Sequence, residues 1–199
     1  MPDLYIIAGP NGAGKTTASV KVLPKMLDCQ QFINADIIAA DLAPDNPESA
    51  AMAAGRIMLL QVKELLRQGE TFALETTLAT RSYVSLIKDA QAMGYEVTLI
   101  YFWLDSVETA RQRVKKRVAK GGHNIPENII DRRYDRGLSN FFSFYQKHSD
   151  FWLLVDNSKP EWELIADGQK QSVIQLKNTE LYDQIKSQAL AIKSQKYHP

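Results

Sequence analysis

The sequence predicts an α/β fold in which a largely parallel sheet of five strands is flanked by helices, and three observations carry that prediction. Short apolar runs alternate with longer stretches of helical periodicity along the 199 residues. The most apolar run, "VTLIYFWL" (97–104), reads as a buried strand, because a membrane span needs about 20 such residues. A glycine-rich segment, "GPNGAGKT" (9–16), sits between an apolar strand and a helix-compatible stretch.

Strands are expected at 3–8, 31–34, 71–75, 96–103 and 151–155. The first helix should leave the glycine loop and run to about Leu27, with Pro24 kinking or ending it a turn early. The segment 47–70 opens with Pro and Glu, is rich in good helix formers and stops at Gly69. Further helices are expected at 81–93, ending at Gly94, at 106–119, and from Pro126 onward, with "GGHN" (121–124) as the breaker between the last two. Residues 162–178 read as a hairpin turning at Asp167 and Gly168, followed by a polar C-terminal helix. One domain over 1–160 with a lid around 117–133, and an extension over 161–199 packed on it, is the expected organisation.

Composition narrows the function. A net charge of +1, with 45% hydrophobic and 24% charged residues, gives no global attraction to nucleic acid or anionic lipid. The single Cys29 cannot form an internal disulfide, and no secretory leader opens the sequence, so the cytoplasm is the default expectation.

The loop Gly9, Pro10, Asn11, Gly12, Ala13, Gly14, Lys15, Thr16 and Thr17 satisfies G-x-x-x-x-G-K-[ST], the P-loop spacing. Glycines let successive backbone N–H groups face phosphate oxygens, and the following helix N-terminus adds partial positive charge. Lys15 is expected on the β and γ phosphates of ATP, and Thr16 on Mg²⁺.

Carboxylates at strand edges mark the acceptor side. Asp36, in "INAD" (33–36), is placed to take a proton from an acceptor hydroxyl or to order magnesium waters; capping the turn that follows is the structural alternative. Glu75, in "FALETTL" (72–78), would bind substrate hydroxyls or metal-bound water, with Thr76 and Thr77 adding hydroxyls to the same rim. Asp41 reads as a solvated turn residue. No apolar strand ends in Asp-Glu, the arrangement that positions water for hydrolysis, which favours transfer to an organic acceptor over a motor-type ATPase.

A basic cluster follows. "RQRVKKRVAK" (111–120) holds six basic residues, and "DRRYDR" (131–136) adds three across the glycine break. Arginines on a flap would neutralise transferring phosphate and exclude water; Arg117, Arg132 and Arg133 flank the break, and His123 within it would reach substrate on closure. A solvated helix face is the plain alternative. The aromatics that follow, Tyr134 to Tyr145, have packing rather than base-stacking spacing, which argues against a nucleic-acid partner.

Taken together, "GPNGAGKTT", "INAD", "ALETTL", "GYEVTLIYFWL", "RVKKRVAKGGHNIP" and "RRYDRGLSN" resemble the zeta toxin family of P-loop kinases, in family order over about residues 3–158. The resemblance is to the compact chromosomal branch with a GGH-x-IP element. It implies a nucleoside-kinase-like core with the Glu75 strand between the second and first strands, ATP and Mg²⁺ as cofactors, and Asp36 as base. It also implies Arg117 before the flap, with Arg132 and Arg133 competing for the position after it. Similarity at "DNS" (156–158) implies a base-contacting loop with Asn157 on the nucleotide. Known toxins of the family phosphorylate UDP-N-acetylglucosamine, so a small hydroxylated acceptor, and a protein antitoxin as partner, are what the resemblance implies; nucleotide-dependent association with a partner is the rival reading, and a polynucleotide kinase the third.

Overall fold

The computed structural model describes residues 1–19, 27, 29–122 and 124–195. The expected course of the first helix past residue 19, Pro24 included, lies outside the described residues, as does His123.

Seven strands form a single sheet: β1 (Asp3–Ala8), β2 (Gln31–Ile33), β3 (Phe72–Thr76), β4 (Glu96–Trp103), β5 (Phe151–Asp156), β6 (Glu163–Gln169) and β7 (Ser172–Leu176), in the order β2-β3-β1-β4-β5-β6-β7. The first five strands in that order pair in parallel, and β3 lies between β2 and β1 as the resemblance implies. The hairpin then extends the same sheet with two antiparallel strands, so the sheet is mixed rather than purely parallel.

The hairpin turns at Lys170, in a left-handed conformation, and Gln171, not at Asp167 and Gly168 as expected. Asp167 and Gly168 instead mark a register shift within β6 against β7. A Cβ on Gly168 would collide with the Trp152 ring and with the Ser172 carbonyl, so glycine serves a close crossing of strands there.

Both faces of the sheet are covered, as a parallel sheet requires. On one face Leu4, Ile6, Phe72, Leu74, Leu99, Tyr101 and Trp152 pack under the helices Ala51–Gln68, Tyr83–Ala92 and Thr179–Gln195. The other face buries Ile7, Ala73, Ile100, Phe102 and Val155 against Val107–Val118 and Glu127–Asn140. The long helix stops where Gly69 adopts a left-handed conformation, and its polar start is a short 3-10 turn, Pro47–Ala50. No helix among the described residues is long and apolar enough to cross a membrane.

The helix Glu127–Asn140 pins the turn after β3, which carries the acceptor-side residues. Leu78 there has φ +53, a conformation that costs a side-chain-bearing residue energy. Its N–H donates to Thr76 Oγ1 (3.1 Å), its carbonyl accepts from Asn140 Nδ2 (2.7 Å), and Tyr145 Oη donates to the Thr80 carbonyl (2.6 Å). Gly137 lets the helix reach this turn, since a Cβ would collide with the Thr77 carbonyl oxygen. Gly137→Ala is therefore expected to destabilise the protein by about 1–3 kcal/mol, the usual cost of overpacking. Urea denaturation with an unchanged m-value checks it, and a midpoint equal to wild type would refute the contact's role.

Candidate active site

The glycine loop leaves β1 at Gly9 and enters a helix at Lys15. Gly9, Gly12 and Gly14 have φ of +142, +80 and +76, values that side chains rarely adopt. The loop turns tightly, with Ala13 N–H donating to the Pro10 carbonyl (3.2 Å). Gly12 packs against the Ala110 carbonyl and Arg113 Cβ, and Asn157 Nδ2 donates to the Ala13 carbonyl (2.7 Å), so the loop is clasped from two sides. Asn157 thus lies on the loop itself.

Lys15 is buried, with its Nζ donating to the Pro10 carbonyl (2.9 Å) and lying 3.7 Å from Glu75 Oε1. Glu75 Oε2 accepts from Thr16 Oγ1 and from Asn34 Nδ2, each at 2.8 Å. One carboxylate therefore gathers the loop lysine, the loop threonine and the end of β2. Asn34 is the residue that sequence reasoning missed within "INAD": it caps the helix Ala35–Leu42, its Oδ1 accepting from Asp36 N–H (2.8 Å). Asp36 is therefore not the cap but a first-turn residue, its side chain exposed toward the cleft.

The basic cluster divides by helical phase. Arg111 makes a bidentate pair with Asp131 (2.9 and 2.6 Å), and Lys115 pairs with Glu127 (2.8 Å), stapling Val107–Val118 to Glu127–Asn140. Arg113, Lys116, Arg117 and Lys120 instead line a cleft of about 570 Å³ with Gly12, Gly14, Lys15, Thr16, Thr17, Asn34, Asp36 and Glu75. Arg113, also missed, is half-buried and donates to the Ser158 carbonyl (2.8 Å). The i, i+3, i+4, i+7 spacing of these four was legible as one face, had the ion pairs of the other face been recognised.

Arg133 Nη1 donates to Asn11 Oδ1 (3.3 Å) and lines a smaller cavity with Lys15, Asp36, Glu75, Thr77 and Tyr83. Arg132, one residue earlier, is exposed to solvent. Of the two arginines after the flap, Arg133 is the one brought to the glycine loop.

The residues fit a nucleoside triphosphate. Left-handed glycines, a helix N-terminus and a buried ammonium converge on one cleft, the donor set that a polyphosphate needs. Thr16 and Glu75 supply oxygen atoms suited to Mg²⁺ beside that cradle.

A family model described as an AAA domain matches residues 4–141. The chain belongs to this AAA domain family. Its P-loop kinase-like fold recurs in solved structures. The chain superposes on a chain of the AvrRxo1-ORF1:-ORF2 complex with ATP with a TM-score of 0.71 at 18% identity, over 94% of this chain. It spans 64% of that chain's length. A structure of the PezAT chromosomal toxin–antitoxin system of Streptococcus pneumoniae matches with a TM-score of 0.62 at 13% identity, covering 98% of this chain and 87% of that one. In sequence, an uncharacterised protein of Haemophilus influenzae is 35% identical over 126 residues, 63% of this chain and 88% of the relative.

Burial lowers the proton affinity of Lys15; the carboxylates of Glu75 and Asp36 offset part of that, and Arg117 and Arg133 add to it. Between this lowered value and about 10.4, where lysine titrates in the unfolded chain, the unfolded state binds more protons, so stability rises with pH across that window and is least below it. Denaturation of the ligand-free protein from about pH 7 to 10.5 should show wild type gaining stability relative to Lys15→Met; parallel profiles would remove the buried charge as the cause.

Proposed function

We propose that this protein is an ATP-dependent phosphotransferase that moves the γ-phosphate to a hydroxyl of a small molecule. The observation that carries the reading is that the P-loop lysine and threonine, Asp36, Glu75 and the basic face of the lid line one cleft.

In this reading residues 9–17 hold the triphosphate, with Lys15 leaving the Pro10 carbonyl for phosphate oxygens. Thr16, with Glu75 behind it, would hold Mg²⁺, which when bound supplies charge neutralisation between the β and γ phosphates. Asp36 accepts the acceptor's hydroxyl proton as its oxygen bonds to the γ-phosphorus and the bond to the ADP oxygen breaks. Arg117, which lines the cleft, and Arg133, which lines the adjoining cavity and is held by Asn11, would neutralise the transferring phosphoryl. On closure of a flap, Arg132, exposed in this structure, and His123 would add contacts to the phosphoryl and the acceptor. Thr77 and Glu75 bind the acceptor, and Asn157, through the Ala13 carbonyl, positions the loop under the nucleotide.

The zeta toxin resemblance names one acceptor, UDP-N-acetylglucosamine. The ATP of the AvrRxo1-ORF1:-ORF2 structure supports the nucleotide. A second reading, nucleotide-dependent association with an antitoxin-like protein, is supported by the two-component character of that complex and of PezAT.

Asp36→Asn is expected to leave ATP affinity within about twofold and to reduce label transfer from γ-labelled ATP by 10²-fold or more, the usual scale of a lost general base. Turnover equal to wild type would end the assignment of Asp36 as base.

A further inference from the structure

Two cavities meet at Asp36 on the acceptor side. The inner one, about 150 Å³, is polar, with Asn11, Asn34, Glu75, Thr77, Tyr83 and Arg133 on its walls. Burial raises the Tyr83 phenol's pKa, so that group stays a neutral donor. The outer one, about 200 Å³, shares Ala35, Asp36 and Arg133 with the inner and is a slot of different chemistry. Ala39, Pro47 and Ala51 line it together with Ile125, Pro126 and Ile129, and Asn124 adds one neutral polar side chain.

Three alanines keep this slot open. Ala35 and Ala39 are one helical turn apart on Ala35–Leu42, and Ala51 opens the next helix. Apart from Asp36 and Arg133 its charged lining is the exposed carboxylate of Glu48. The basic residues Arg113, Lys116, Arg117 and Lys120 line the phosphate cleft instead. A diphosphate in the slot would meet one arginine and two carboxylates, which is unfavourable for an anion leaving water.

We propose that the acceptor is a small hydroxylated molecule with an apolar arm, aliphatic or aromatic, and without a diphosphate. Its hydroxyl end occupies the inner cavity at Asp36, and its arm fills the slot between Ala39, Ala51 and Ile129. The two cavities together fall near the lower end of ligand-site volumes, about 300 Å³. This rests on the phosphotransferase reading: the acceptor oxygen forms the new P–O bond, its proton passes to Asp36, and ADP leaves.

The test incubates the full chain with γ-labelled ATP, Mg²⁺ and a bacterial small-molecule extract. Labelled product is separated by reversed-phase chromatography, identified by mass spectrometry, and its parent used for kinetics. The expected product is retained on the column and lacks a diphosphate. Ala51→Leu, at an exposed helix start where leucine is readily accommodated, should raise the parent's KM at least tenfold with ATP affinity unchanged. Label on a nucleotide sugar or an unretained polyol, or an unchanged KM in Ala51→Leu, would overturn the apolar arm and leave the kinase standing. ATP bound with no label on any extract component would overturn the phosphotransferase reading itself, and this proposal with it.

Discussion

The site depends on the register of three adjacent parallel strands, β2, β3 and β1. β1 and β3 run in register with Ile7 beside Glu75, and β2 pairs on the far side of β3, Ile33 beside Leu74. That alignment sets the Glu75 carboxylate between the glycine loop that continues β1 and the Asn34 cap that continues β2. A carboxylate with only a tenth of its side chain exposed needs partners: Thr16 and Asn34 donate hydrogen bonds to it, and Lys15 supplies an opposite charge 3.7 Å away. A one-residue slip of β3 against β1 would turn Glu75 to the opposite face and take its carboxylate away from buried Lys15.

The basic helix Val107–Val118 follows a second rule, that a charge is useful only when its neighbours are neutralised. Ion pairs on one face of Val107–Val118 fasten it to Glu127–Asn140, and the other face presents Arg113, Lys116 and Arg117, with Lys120 in the turn beyond the helix, as a converging set. Exposed pairs of this kind add little stability singly, about 0–1 kcal/mol. Their contribution here is orientation. Those cations face a cleft that the glycine loop also lines.

Several features were readable before any coordinates. The glycine loop is contiguous, so its spacing carries its geometry, and the parallel strands announce themselves as short apolar runs bounded by breakers. Errors arose where one local signal had two structural meanings. Asp167-Gly168 has turn chemistry, yet Gly168 is required by the Trp152 ring packed on it, and Lys170 takes the left-handed turn position. In "INAD" either polar residue could cap; the carboxylate of Glu75, 41 residues away, draws Asn34 to that role. Arg132 and Arg133 are equivalent on paper, and a rotation of about 100° per residue sends one to solvent and the other to Asn11.

By itself the sequence determined the α/β class, the phosphate-binding loop and the presence of acidic and basic groups near it, because each rests on contiguous residues and short-range stereochemistry. Tertiary structure decided which carboxylate gathers the loop, which cations face the cleft and that a small-walled apolar slot opens beside Asp36. Those outcomes depend on strand order and on helix phase across a packed interface, where residues tens of positions apart meet only once the sheet has formed.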